Sequence, residues 1–328
     1  MPGPQGQWGP PNWPPPVRPA PSVLPERPTD YVQFWRTPGI AAWLPIVATL
    51  VMAVAFVALT TFIVLGALFV GGTPTLEDLE AIAEGSLSPA MVLANSVSIA
   101  LVLPVGFLVA RMLKQRPGYL SSVVGRFRWG FFWKATAAVS VVFLLYTAIT
   151  FLFDDVEAMG LEVREHTWWL LVGLLLVTPF QAAAEEYLLR GYVLRTVGSW
   201  FAGPVPAVLV GGLINTLIFM SLHASLDPWL NLVYFTMGAV GTYLVWCTGG
   251  LEGAVAIHVV NNMIGMAILP FQDMAAQFDR SAGAGGPEVL FQVLATVIAG
   301  ALIVWLARRE NLARTGPAAP SVRRPVEG

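Results

Sequence analysis

Long apolar stretches separated by short polar turns account for most of the chain, and eight of them are long enough to cross a bilayer. They run near 41–70, 90–113, 130–153, 168–189, 204–223, 229–247, 252–271 and 288–307. A spanning helix needs about 20 mostly apolar residues. Pro45, Pro104 and Pro179 fall inside these windows; neighbouring helices can satisfy the carbonyls that a proline frees. The pattern predicts an all-α fold: a polytopic membrane helical bundle of about eight transmembrane helices.

Composition agrees. The 328 residues are 56% hydrophobic and 12% charged, against roughly 45–50% and about 25% in an ordinary soluble domain. This marks a multi-pass protein of the cell membrane whose surroundings are the lipid bilayer, and it leaves no surface suited to nucleic acid. The single cysteine, Cys247, excludes an internal disulfide and any multi-thiol metal cluster.

Lys and Arg set the orientation. With the N- and C-termini cytoplasmic, Arg164 and Arg280 alone of the 18 Lys and Arg residues face outward. The acidic stretch Glu77 to Glu84 and the group Asp154, Asp155 and Glu157 then face outward too. Residues 1–39, rich in Pro, Gly and Gln, read as an extended tail unable to bury enough apolar area to fold, with no cleavable signal pattern. The expected organisation is that tail, helices 1–3 over 40–163, a core over 164–275, a loop and last helix over 276–307, and a basic tail over 308–328.

Polar residues inside the spans concentrate in three clusters: Glu185-Glu186-Tyr187-Leu188-Leu189-Arg190-Gly191, Phe219-Met220-Ser221-Leu222-His223 and His258-Val259-Val260-Asn261-Asn262. Ionisable groups within a spanning helix face a partner or a water-filled cavity, so they mark functional sites. On a helix, Glu186 sits over Arg190 in the favourable order and neutralises it. Glu185, about 100° away, has no such partner and is the better general base. Asn215, Phe219 and His223 share roughly one face of the fifth span. His258 and Asn262, four apart, can converge on a developing oxyanion. A helix end near the headgroups, or interhelical hydrogen bonding by Asn and His, accounts for each cluster taken singly. A carboxylate, two imidazoles and an amide on three spans supply what water activation needs.

The ordered motifs Glu185-Glu186-xxx-Arg190, Phe219-xxx-His223 and His258-xxx-Asn262 resemble the signatures of the CPBP family, the CAAX-protease and bacteriocin-processing group of intramembrane peptidases also called Abi proteins. The resemblance covers about residues 165–271 and includes Gly191 and the Gly203-Pro204 lead into the fifth span. It implies an intramembrane endopeptidase. Glu185 would act with His223 on the attacking water, His258 and Asn262 would hold the oxyanion, and Glu186 and Arg190 would form a structural ion pair. Substrates would be peptides or membrane proteins, bare or lipidated.

Family members have been described as both glutamic proteases and metalloproteases. The reading adopted requires no cofactor; the alternative is Zn held by Glu185, His223 and His258, although the HExxH spacing is missing. A non-catalytic membrane scaffold or bacteriocin-immunity protein is the competing function. A proton-coupled transporter fits less well, because the first three spans hold almost no buried charge. One geometric difficulty stands out. Counting from the cytoplasmic ends puts Glu185, His258 and Asn262 at about 10–18 Å depth and His223 at about 28 Å, so straight helices of these lengths would keep them apart.

Overall fold

The computed structural model describes residues 22–70, 72–76, 80, 87–153, 160–273 and 279–316. The expectations for Glu77, Glu84, Asp154, Asp155 and Glu157, and for residues 1–21 and 317–328, lie outside these. The spanning helices are α1 (Leu44–Leu68), α2 (Pro89–Val109), α3 (Trp129–Phe153), α4 (Thr167–Glu186), α6 (Pro204–Leu222), α7 (Pro228–Thr248), α8 (Glu252–Ile268) and α9 (Val289–Arg309). A π-helical turn, Tyr187–Val193, continues α4 into the short α5 (Leu194–Gly198). Among the described residues eight helices are long and apolar enough to cross a membrane, and the only β pairing is two isolated bridges. The protein is an all-α, multi-pass membrane bundle.

Helix ends follow local chemistry. Ser88 and Asp227 cap α2 and α7 by accepting first-turn N–H groups, as such residues do where four donors lack partners. Pro45, expected inside a span, instead sits in the first turn of α1, where its missing N–H costs nothing. Pro104 and Pro179 are inside their helices as expected. α4 packs on α2 and α8, α3 on α8 and α9, and α7 on α6 and α9.

Two departures from the sequence reading matter for the site. The fourth span does not stop near 189: with its π-turn it runs continuously from Thr167 to Gly198. Arg190 and Arg195 interrupt the apolar pattern there, yet both side chains are fully buried. The second departure is inside the expected tail over 1–39, where Tyr31, Val32, Phe34 and Trp35 are buried. The cluster Tyr-Val-Gln-Phe-Trp is locally apolar in a segment whose average composition is not. Tyr31 and Trp35 lie against the Arg195 guanidinium, 4.6 and 4.4 Å from ring centroid to Cζ. The basic tail expected from 308 likewise begins in structure: α9 runs through Arg309, and Gly316 N–H donates to the Thr29 carbonyl at 2.8 Å. Asp30 also bridges Thr315.

Candidate active site

Three helices and the π-helical turn build the site. Glu185 and Glu186 end α4, Arg190 lies in the π-turn, Phe219 and His223 close α6, and His258 and Asn262 lie on α8. π-Turns occur often at functional sites because they insert a wider turn without breaking the helix. Here Arg190 still reaches back to Glu186, with Nη1 donating to Oε1 at 2.9 Å.

The two adjacent glutamates have different surroundings. Glu186 Oε1 also accepts from His258 Nδ1 at 2.8 Å, so one carboxylate oxygen holds both a guanidinium and an imidazole. Its side chain is 3% exposed, while that of Glu185 is 15% exposed. Glu185 faces the other edge of the same imidazole, His258 Nε2 to Oε2 being 3.7 Å. It also accepts a hydrogen bond from Gln181 Nε2, one turn earlier on α4. The Gln181 carbonyl in turn accepts from Asn262 Nδ2 at 3.2 Å. Glu185, His258 and Asn262 are therefore brought together as expected, with Gln181 as a link that the sequence reading missed. An uncharged polar residue four before Glu185 in an apolar helix was the available signal.

Arg190 is housed between helices. Its Nη2 donates to the Gly238 carbonyl at 3.1 Å and more weakly to that of Met237 at 3.3 Å, and Cζ lies 4.8 Å from the Phe219 ring centroid. A Cβ on Gly241 would come within 2.8 Å of Nη2. The glycine gives the guanidinium its space.

His223 caps α6. Its Nδ1 is 2.9 Å from the Phe219 carbonyl and its ring stacks on Tyr234 at 3.9 Å. Phe219 spans the interval between the imidazoles, 4.8 Å from His223 and 5.7 Å from His258 between centroids.

The depth mismatch is removed by register. Glu185 lies 13 residues before the end of α5 at Gly198, or about 20 Å at helical rise. A Cβ at Gly211 would stand 3.4 Å from the Gly198 nitrogen, so the seven residues of α6 before Gly211 extend about 10 Å beyond that level. Subtracting them leaves His223 at about 18 Å, close to Glu185. The entrance to α8 is also inset: Glu252 is fully buried and bonded by Arg128, and Leu251 N–H reaches the Ser121 carbonyl at 2.8 Å.

Asn215 does not join the site. It donates to Thr242 Oγ1 at 3.0 Å and ties α6 to α7. Asn261 instead continues the polar chain outward, donating to Asn262 and accepting from Gln292 of α9 at 2.9 Å. Among the described residues no three His, Cys, Asp or Glu side chains gather as a metal would require. His258 Nε2 and Glu185 Oε2 face each other at 3.7 Å, and Phe219 lies against both imidazoles.

Residues 167–264 match the family model described as Rce1-like, type II CAAX prenyl endopeptidase. The match contains all three polar clusters. Over 155 residues the chain is 26% identical to YyaK of Bacillus subtilis (strain 168), a protein described as uncharacterized, covering 45% of this chain. The alignment spans about half, 52%, of that relative's length. No solved structure matches the chain.

Proposed function

Residues 167–264 being a CAAX-protease-like segment of a multi-pass membrane protein, we propose that the chain is an intramembrane endopeptidase that uses glutamate chemistry. One observation carries this reading: of two adjacent carboxylates, Glu186 is committed to Arg190 and His258, while Glu185 is more accessible and is held by a neutral amide.

A carbonyl can only accept, so His223 gives its Nδ1 hydrogen to Phe219 and, when neutral, presents an unprotonated Nε2. Glu185 and this nitrogen are the bases for a water molecule. As one takes the proton, the water oxygen adds to the scissile carbonyl carbon and the carbonyl oxygen becomes negative. His258 gives Nδ1–H to Glu186 and donates from Nε2 only as an imidazolium. In that form two carboxylates, Glu185 and Glu186, balance two cations, Arg190 and His258. His258 and the Asn262 amide stabilise the oxyanion. Its collapse breaks the C–N bond, and the abstracted proton passes to the leaving amine. Substrates are peptides or membrane proteins, bare or lipidated, reached from the bilayer.

Quenched-fluorescent peptides, bare and farnesylated, test this with detergent-purified protein. Glu185→Gln should lower the cleavage rate about 10²–10⁴-fold, the usual contribution of a general base, with folding intact. A chelator should leave the wild-type rate unchanged; loss on chelation would replace glutamate chemistry with a metal. Wild-type rates in Glu185→Gln would sink the catalytic assignment. An inert wild type would favour the scaffold reading.

A further inference from the structure

A large apolar groove of about 950 Å³ lies between α2, α3, α4 and α8. Trp133 and Ser140 of α3, Phe180 and Ala183 of α4, and Val259 and Met263 of α8 line it. It is not the cleft of the proposed peptidase site. Ala183 is two residues from Glu185 and hence about 200° away around the helix. The groove thus runs behind Glu185 on α4, and its contents would rest on the back of the helix turn that carries it.

At the Trp129 end the groove meets a second cavity of about 700 Å³ that contains Arg126 and Arg128. Phe127 and Trp129 line both. Charge is unbalanced there. Arg128 is paired with Glu252, and Glu310 with Lys134. Arg126 is exposed and makes no ion pair among the described residues, so the second cavity carries an excess positive charge. Trp129 and Trp133 are 60% and 61% exposed, and exposed Trp at the end of a spanning helix marks the level of the headgroups. An apolar channel along the hydrocarbon thus opens, at headgroup depth, into a cationic bowl.

We propose that this two-part surface binds an anionic phospholipid, with its acyl chains in the groove and its phosphate at Arg126. The proposal is independent of the peptidase reading, since it uses neither the carboxylates nor turnover. One unpaired basic residue near a membrane surface should favour an anionic over a zwitterionic headgroup about fivefold.

The test uses the full chain, delipidated in detergent and titrated with phosphatidylglycerol or phosphatidylcholine of identical chains, bound lipid being counted by native mass spectrometry. The wild type should hold one phosphatidylglycerol about fivefold more tightly than phosphatidylcholine. Arg126→Gln should erase that preference and leave the weaker binding unchanged. Ser140→Phe, which fills the groove from a helix without site residues, should weaken both lipids while the thermal transition stays in place. Equal affinities in the wild type would overturn the proposal, as would undiminished phosphatidylglycerol binding in Ser140→Phe. Stoichiometric release of the bound lipid by a farnesylated peptide would overturn it too, making the groove a substrate subsite.

Discussion

Two guanidiniums five residues apart, Arg190 and Arg195, are both fully buried, and the protein accommodates them in different ways. Arg190 has a carboxylate partner, Glu186, which also binds His258. Arg195 has no such partner among the described residues. It lies over Tyr31, Phe34 and Trp35 and donates to the Tyr119 carbonyl at 3.1 Å. The first arrangement joins three ionisable groups, so a proton gained or lost at one is felt by the others. The second joins one permanent charge to ring faces and a carbonyl and so fixes position without a titratable carboxylate. Buried charge can serve reactivity or attachment, and the neighbours decide which.

Removing the carboxylate is the strongest way to break this contrast. Glu186→Ala should cost about 3–5 kcal/mol, the loss seen when one partner of a buried pair is deleted, because it strands Arg190 and frees His258. A lowered thermal transition in detergent and poor yield would show it. Unaltered stability would mean that Arg190 does not depend on Glu186.

Arg195→Met should do less. The variant loses cation–π attraction of about 2 kcal/mol or more and one carbonyl bond, but leaves no carboxylate unpaired. Limited proteolysis should then cut near Tyr31 sooner, while peptide cleavage by the remaining intact protein continues. Equal destabilisation by the two variants would erase the distinction.

The smallest effect concerns alkaline pH. Burial raises the Tyr31 phenol well above its ordinary value, opposed in part by the Arg195 charge. An acid whose folded value is raised gives stability that is fully present below its unfolded value, about 10, and that falls as pH rises beyond it. Thermal transitions should therefore decline above about pH 10, and Tyr31→Phe should flatten that decline. An identical slope in the variant would dissociate Tyr31 from the effect.

Span number and the pairing of Glu186 with Arg190 were legible in the sequence because hydropathy and helical spacing are local properties. The extension of the fourth span to Gly198 was not. A window average registers two arginines as an end to the membrane helix, whereas aromatic residues about 160 positions away make Arg195 burial tolerable. For the same reason Tyr31 to Trp35 read as tail: their burial depends on a helix formed much later in the chain. Gln181 escaped notice because it carries no charge, although it links Glu185 to Asn262. The level of His223 was misjudged because it depends on the approach of Gly211 to Gly198, a contact between helices that composition does not report.

Thr29 and Gly316 share a hydrogen bond, and Asp30 bridges Thr315. Contacts between positions so distant in sequence form late, after the loop between them is closed. Chain synthesis adds an order to this: the aromatic residues around Arg195 can dock once α5 is made, but the bond from Gly316 must wait until all eight spans have emerged. Pairing of these two segments is therefore a record that every described span between them has been made, and a proximity probe placed on them would count such molecules separately from those stalled earlier during insertion.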